Sequence, residues 1–292
     1  MSYRGRFAPS PTGPLHLGSL VAAVGSYIRA KSQDGIWLIR IEDIDPPREE
    51  AGASESILET LTAHGMVSDE PVLYQHQRSE AYQHALNQLQ ESNHLYWCNC
   101  TRKTIRESSD DPYGPIVYPS ICKDKNLNAN QGRALRVKTN DLITYFDDQY
   151  IGRFEQNLYQ ETGDFVLLRA DGLFSYQLAV VVDDAFQGIT EVVRGQDLVD
   201  NTPRQVYLQK LLEYSTPDYI HLPLVFNDDG QKLSKQNLAP ALDNHKAVSN
   251  ISKALEILGY PAEVCNMDLK VAELLQAAIA FERQSSLLTR AH

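Results

Sequence analysis

No run in the 292-residue sequence stays apolar over the roughly 20 positions that a membrane-crossing helix needs, so no span is expected. The start, from Met1 to Arg6, passes straight into Pro9-Ser10-Pro11 with no apolar leader core. Cysteine is scarce. Four residues do not make a disulfide scaffold at this length, and a reducing, cytoplasmic setting is expected. Positive charge is also short: Lys and Arg number 27 against 38 Asp and Glu, a net charge of −11. That balance argues against a general nucleic-acid coat protein, while leaving room for one RNA contact through a local basic patch. Neither a G-x-x-x-x-G-K-[ST] string nor a G-x-G-x-x-G string occurs, so a bound nucleotide needs a different cradle. Internal repeats and low-complexity segments are absent as well.

What is there reads as a globular chain of about two structural units, with 42% hydrophobic and 22% charged residues. Residues 3–8 read as a strand, 9–14 as a proline-rich turn, and Gly18 to Gly35 as a helix with Leu20, Val21, Val24 and Ile28 on one face. Ile36 to Ile41 reads as a buried strand. Helices are expected from Glu49 to Ala63 and from Ser79 to Glu91. This alternation implies an α/β fold with a parallel sheet and crossover helices. Residues 98–130 read as loops, and 133–155 alternate like short antiparallel strands. Strand and helix return from 164 to 199. A helix is expected from Pro203 to Tyr214, then a strand from Ile220 to Phe226 and a turn at 227–230. Two helical stretches, Ala247 to Leu258 and Leu269 to Arg283, close the chain.

The most informative stretch is Arg6-Phe7-Ala8-Pro9-Ser10-Pro11-Thr12-Gly13-Pro14-Leu15-His16-Leu17-Gly18-Ser19. It leaves a strand and enters a helix. The prolines stiffen the turn, the glycines permit close approach to a ligand, and the helix start offers unpaired N–H groups to an anion. His16 stands at that mouth. Far downstream, Lys232-Leu233-Ser234-Lys235-Gln236 sets two ammonium groups three residues apart, where they can stabilise the charge of a departing pyrophosphate.

Together these strings resemble the two signatures of class I aminoacyl-tRNA synthetases in their glutamyl form. His16-Leu17-Gly18-Ser19 stands where the HIGH motif stands, with Ser19 in place of its last histidine, and Lys232 to Gln236 stands where the KMSKS loop stands. The resemblance implies a Rossmann-type catalytic domain whose halves are 1–97 and 166–240, an inserted acceptor-type subdomain at 98–165, and a helical tail at 241–292. It implies that His16, Gly18, Ser19, Lys232 and Lys235 bind ATP, with Mg²⁺ accompanying it, and that His16 and Lys235 serve catalysis.

An amino acid to be activated brings charges of both signs. Glutamate needs cations for two carboxylates and an acid for its ammonium, and a bidentate arginine is the best clamp. Arg6 and Arg194 are the candidate clamps, and Glu42, closing the second strand, is the candidate ammonium site. The resemblance adds Phe7, Ala8, Pro9, Ser10 and Tyr176 to the glutamate positions, and Ser175 to Asp184 matches the family almost throughout. Asp43 and Asp45, beside Glu42, read as helix-entry or structural acids.

Cys98, Cys100 and Cys122 suit a structural zinc site within about 98–122 that would staple a loop-rich insertion. Three cysteines leave one ligand open. Ligand chemistry favours His94, whereas the resemblance favours Tyr118, whose Tyr-Pro-Ser-Ile-Cys string matches the family.

Only residues 236–292 follow Lys235, too few for the long anticodon-binding region of glutamyl-tRNA synthetases. The pattern as a whole most resembles the truncated glutamyl-Q branch of that class. This implies activation of L-glutamate with ATP without tRNA, and transfer to the queuosine base in the anticodon loop of tRNA(Asp), by a monomer that uses no membrane. Two rivals stay open: an adenylate-forming ligase with another acceptor, and a non-catalytic synthetase-like RNA-binding protein.

Overall fold

The computed structural model of the chain describes residues 2–108, 116–225 and 240–289. Strand β1 (Arg4–Phe7) leads through the proline-rich turn into helix α1 (Leu17–Ser32), and β2 (Ile36–Ile41) returns parallel to β1. The expected stripe of α1 is fully enclosed, with Leu20, Val24 and Ile28 at 0% exposure. Helix α2 spans Ala53–Ala63, later than the Glu49 start expected. The physical reason is a break: Pro46–Arg48 forms a separate 3-10 turn, and Gly52 adopts φ 79° before α2 begins.

Strand β3 (Leu73–Tyr74), α3 (Ser79–Glu91), β4 (Leu95–Cys98) and α4 (Arg102–Glu107) follow. Then come β5 (Ala134–Val137), β6 (Ile143–Asp148), β7 (Gly152–Asn157), the short α5 (Leu158–Glu161), β8 (Val166–Leu168) and α6 (Tyr176–Phe186). The chain continues through β9 (Glu191–Gly195), α7 (Thr202–Leu211), β10 (Asp218–Leu222), α8 (Ala247–Ile257) and α9 (Val271–Ser285).

The strands β1, β2 and β3 make one parallel set. The strands β9, β10 and β6 make another, with β7 antiparallel on its edge. The two sets meet where the Thr190 N–H donates to the Arg4 carbonyl at 2.9 Å and the Arg4 N–H donates to Thr190 Oγ1 at 2.9 Å. Strand order therefore runs outward in opposite senses from β1 and β9. Open α/β sheets hold their ligands at such a reversal, beyond the strands' C-terminal ends.

A third, antiparallel sheet joins β5 to β4 and β8. The hairpin β6–β7 pairs with β10 instead. In β6 burial alternates strictly, so Thr144, Phe146 and Asp148 face inward. Helices α8 and α9 close on α1: Ile251, Leu255, Leu274 and Ile279 share one apolar cluster with Leu20 and Ile28. The tail is thus part of the main core. Among the described residues no helix is long and apolar enough to cross a membrane.

Candidate active site

At the reversal lies a cavity of about 640 Å³. Arg6 and Phe7 enter it from the end of β1, Glu42 from just beyond β2, and Val193, Arg194 and Gly195 from the end of β9. The start of α1 contributes His16 and Ser19, and the start of α6 contributes Tyr176. Ala8 and Ser10 complete the wall on the turn side. Pro9 acts through its backbone, its carbonyl accepting the Glu42 N–H at 3.0 Å, and the Pro11 carbonyl accepts the Glu50 N–H at 2.9 Å. The turn is thereby tied to the segment after β2. Gly18 lies within the first turn of α1. Lys232, Lys235 and the turn at 227–230 fall outside the described residues.

Ser19 has a definite task. The Ser19 N–H donates to His16 Nδ1 at 3.3 Å, and Ser19 Oγ accepts the His16 N–H at 3.0 Å. This reciprocal cap fixes the imidazole at the helix mouth and makes Nδ1 an acceptor, which puts the ring proton on Nε2.

Two buried arginines, Arg6 and Arg194, reach the cavity in different electrical settings. Arg6 grips Asp184 through Nε and Nη2 at 3.0 and 3.3 Å. Behind it Arg40, at 0% exposure, donates to Asp184 at 2.7 Å and to Glu42 at 3.3 Å. Two buried cations and two buried carboxylates thus neutralise one another. Burial alone would raise the Asp184 carboxyl, but Arg6 and Arg40 outweigh it and hold the pKa below the usual range. For Glu42 burial wins over the same two arginines, and the pKa is raised.

Arg194 is 5% exposed, and its hydrogen-bond partners are neutral. Nη2 donates to Thr202 Oγ1 at 2.7 Å and Gln205 Oε1 at 2.8 Å, Nη1 to the Tyr176 hydroxyl at 3.2 Å, and Nε to His221 Nε2 at 3.1 Å. Arginine cannot shed its proton in a protein. A buried cation bordered by neutral groups and open to a cavity is a seat for an anion.

At the rim, Asp45 accepts from Arg169 at 3.0 Å and from Arg48, all three lining the cavity. Asp43 instead accepts the His76 N–H at 2.9 Å and faces its ring, away from the cavity lining. Sequence reasoning missed Arg40, Asp184, His221 and Asp148 as parts of the site. A lone charge within Ile36–Ile41 and two acids ending the apolar run of α6 were the available signals for the first two.

Away from the cavity, the Sγ atoms of Cys98, Cys100 and Cys122 lie within 4.8 Å of one another. The Tyr118 hydroxyl stands 3.2 Å from Cys98 Sγ and 3.7 Å from Cys100 Sγ. Thiolates on a tetrahedral zinc stand roughly 3.8 Å apart, given Zn–S bonds near 2.3 Å, so this donor set fits the metal. Burial and the adjoining Cys122 thiol push the Cys100 thiol up to about 11, the resistance to ionisation that a cation relieves. His94 precedes β4 and stands roughly 13 Å along an extended chain from Cys98. Gly163 lets the Tyr118 segment approach: a Cβ there would sit 2.2 Å from the Tyr118 carbonyl oxygen.

Comparison with known proteins places the chain in a family. A family described as "tRNA synthetases class I (E and Q), catalytic domain" matches residues 2–258. A protein of Dechloromonas aromatica (strain RCB) named glutamyl-Q tRNA(Asp) synthetase is 52% identical over 259 residues, covering 88% of this chain and 86% of its own. One of Pseudomonas putida with the same name is 44% identical over 289 residues, covering 99% and 94%. The crystal structure of a glutamate tRNA ligase from Elizabethkingia meningosepticum, in complex with its amino acid, superposes with a TM-score of 0.80 at 25% identity. That match covers 94% of this chain and 64% of the ligase, so the chain spans a little under two thirds of that longer protein.

Proposed function

The chain belongs to the class I tRNA synthetase family (E and Q), and from that premise we propose that it activates L-glutamate with ATP, without tRNA, and then transfers it to the queuosine base in the anticodon loop of tRNA(Asp). The observation that carries glutamate is the buried Arg194 guanidinium, bordered by neutral groups and open to a cavity that also presents Arg6 and Glu42. The names of the relatives support the acceptor.

In the first step Arg194 and Arg6 hold carboxylate, Glu42 holds the ammonium, and Tyr176 together with the Phe7 to Ser10 turn closes around the substrate. The α-carboxylate oxygen attacks the α-phosphorus of ATP, and the bond to the pyrophosphate oxygen breaks. His16, Gly18 and Ser19 at the start of α1 hold phosphate oxygens. Lys232 and Lys235 are assigned the departing pyrophosphate from the sequence. Mg²⁺ would neutralise phosphate charge when bound with ATP. In the second step a hydroxyl of queuosine attacks the adenylate carbonyl and AMP leaves. Positioning and fixed charge supply the rate, with no covalent enzyme intermediate. Cys98, Cys100, Cys122 and Tyr118 would hold Zn²⁺, whose contribution is to brace the segment around it. A cytoplasmic monomer is the expected working form.

The test is glutamate-dependent pyrophosphate exchange without tRNA, followed by transfer to tRNA(Asp) with and without queuosine. Exchange, and charging of the queuosine RNA alone, is expected. Equal charging of both RNAs overturns the queuosine assignment in favour of a ligase with another acceptor. Absence of both ATP binding and exchange points to a non-catalytic RNA-binding protein.

A further inference from the structure

Arg194, His221 and Asp148 form a buried line across three adjacent parallel strands. His221 on β10 is the register partner of Arg194 on β9. Asp148 ends β6, on the other side of β10. The side chains of His221 and Asp148 are both 0% exposed, and neither lines the cavity.

The hydrogen bonds leave one arrangement of protons. His221 Nδ1 is 2.6 Å from Asp148 Oδ2, and an ionised carboxylate only accepts, so Nδ1 carries the proton. His221 Nε2 is 3.1 Å from Arg194 Nε, which only donates, so Nε2 is bare. Burial lowers the imidazole pKa against the pull of Asp148, and this keeps the ring neutral beside the guanidinium. Asp148 is anchored in turn: Oδ1 accepts the Tyr150 and Ile151 N–H groups at 2.9 Å each. With Nε held by His221 and Nη2 by Thr202 and Gln205, the guanidinium plane is fixed and Nη1 is left beside the Tyr176 hydroxyl at the cavity.

We infer that Asp148 and His221 are positioning residues that keep the Arg194 guanidinium aimed at the substrate carboxylate, and so set affinity for the amino acid without touching it. Nothing local in the sequence joins them, since Asp148 and His221 are 73 positions apart. The same logic operates wherever a carboxylate behind an imidazole chooses its tautomer. Replacing Asp148 by Asn keeps the shape and an acceptor for the turn amides. It offers an N–H to Nδ1, drives the ring proton to Nε2, and sets it against the Arg194 donor.

The inference rests on the glutamate reading of the cavity, and exchange assays without tRNA separate the two. For Asp148→Asn the KM for glutamate is expected to rise about tenfold or more, the size of one lost charge-assisted hydrogen bond. The kcat for exchange and the KM for ATP should stay within about threefold of the parent. His221→Gln can accept from Arg194 and donate to Asp148, and is expected to keep a glutamate KM within about threefold of the parent, whereas His221→Phe is expected to match Asp148→Asn. Should Asp148→Asn fail to fold, the His221 pair decides the matter alone. Parent-like glutamate KM in Asp148→Asn and His221→Phe overturns the positioning role and leaves the cavity assignment standing. So does a fall in kcat accompanied by an equal rise in the KM for glutamate and for ATP. A parent with no glutamate-dependent exchange overturns the cavity assignment and this inference with it.

Discussion

The two sides of the cavity handle buried charge in opposite ways. On the β1–β2 side, Arg6 and Arg40 are matched by Asp184 and Glu42, and the set is neutral before any ligand arrives. On the β9–β10 side, Arg194 is held by Thr202, Gln205, Tyr176 and a neutral imidazole. The difference lies in what each side still needs, although both sides present groups to the cavity. A balanced set fixes strands and helix α6 around the cavity floor, whereas a cation with no carboxylate partner among the described residues stores an attraction that an incoming anion satisfies.

The sharpest way to break this comparison is to unbalance the balanced side. Asp184→Asn leaves two buried guanidiniums facing one carboxylate and is expected to destabilise the fold by about 3–5 kcal/mol, read from chemical denaturation. If it unfolds at the parent's midpoint, the two sides do not differ as described. Next in size, Arg194→Ala is expected to weaken glutamate binding about 10- to 100-fold in calorimetry while losing less stability than Asp184→Asn. Glutamate affinity equal to the parent's would show that the pocket is drawn wrongly. His16→Ala tests the phosphate end and should slow pyrophosphate exchange about tenfold with glutamate affinity unchanged. Lys235→Ala should act in the same direction. The smallest effect on exchange belongs to the cysteines. Cys98→Ser, or a strong chelator, should release zinc and open residues 98–134 to protease while exchange without tRNA persists. Metal analysis that finds no zinc in the purified parent would contradict the donor set.

The sequence exposed the residues that face the cavity better than the ion pairs behind them. Arg6, His16, Glu42 and Arg194 lie in or beside recognisable strings, and strand ends in an α/β sheet converge on one face, so their meeting in one cavity was legible. The parallel pairing of β1 with β2 and the helices α1 and α3 followed from period and turn chemistry. The neutral quartet was not legible, because Arg6 and Asp184 are 178 positions apart and their pairing is purely tertiary. The Asp148–His221 contact was hidden for the same reason. The pairing of β6 with β10 also escaped, since an alternating run specifies a strand and its inward face but not its neighbour. Chemistry alone preferred His94 to Tyr118 beside the thiols. The Tyr118 hydroxyl stands 3.2 Å from Cys98, whereas His94 lies before the opposite end of β4, which favours Tyr118.

Taken as the seat of the side-chain carboxylate, the charge of Arg194 is tested most directly by titrating L-glutamate and L-glutamine, whose side chain is the uncharged isostere, into the protein, with neither ATP nor tRNA present. Saturable binding of glutamate, at least about tenfold tighter than glutamine, is the expected result. Equal affinity for the two, or no binding of glutamate at all, would contradict it.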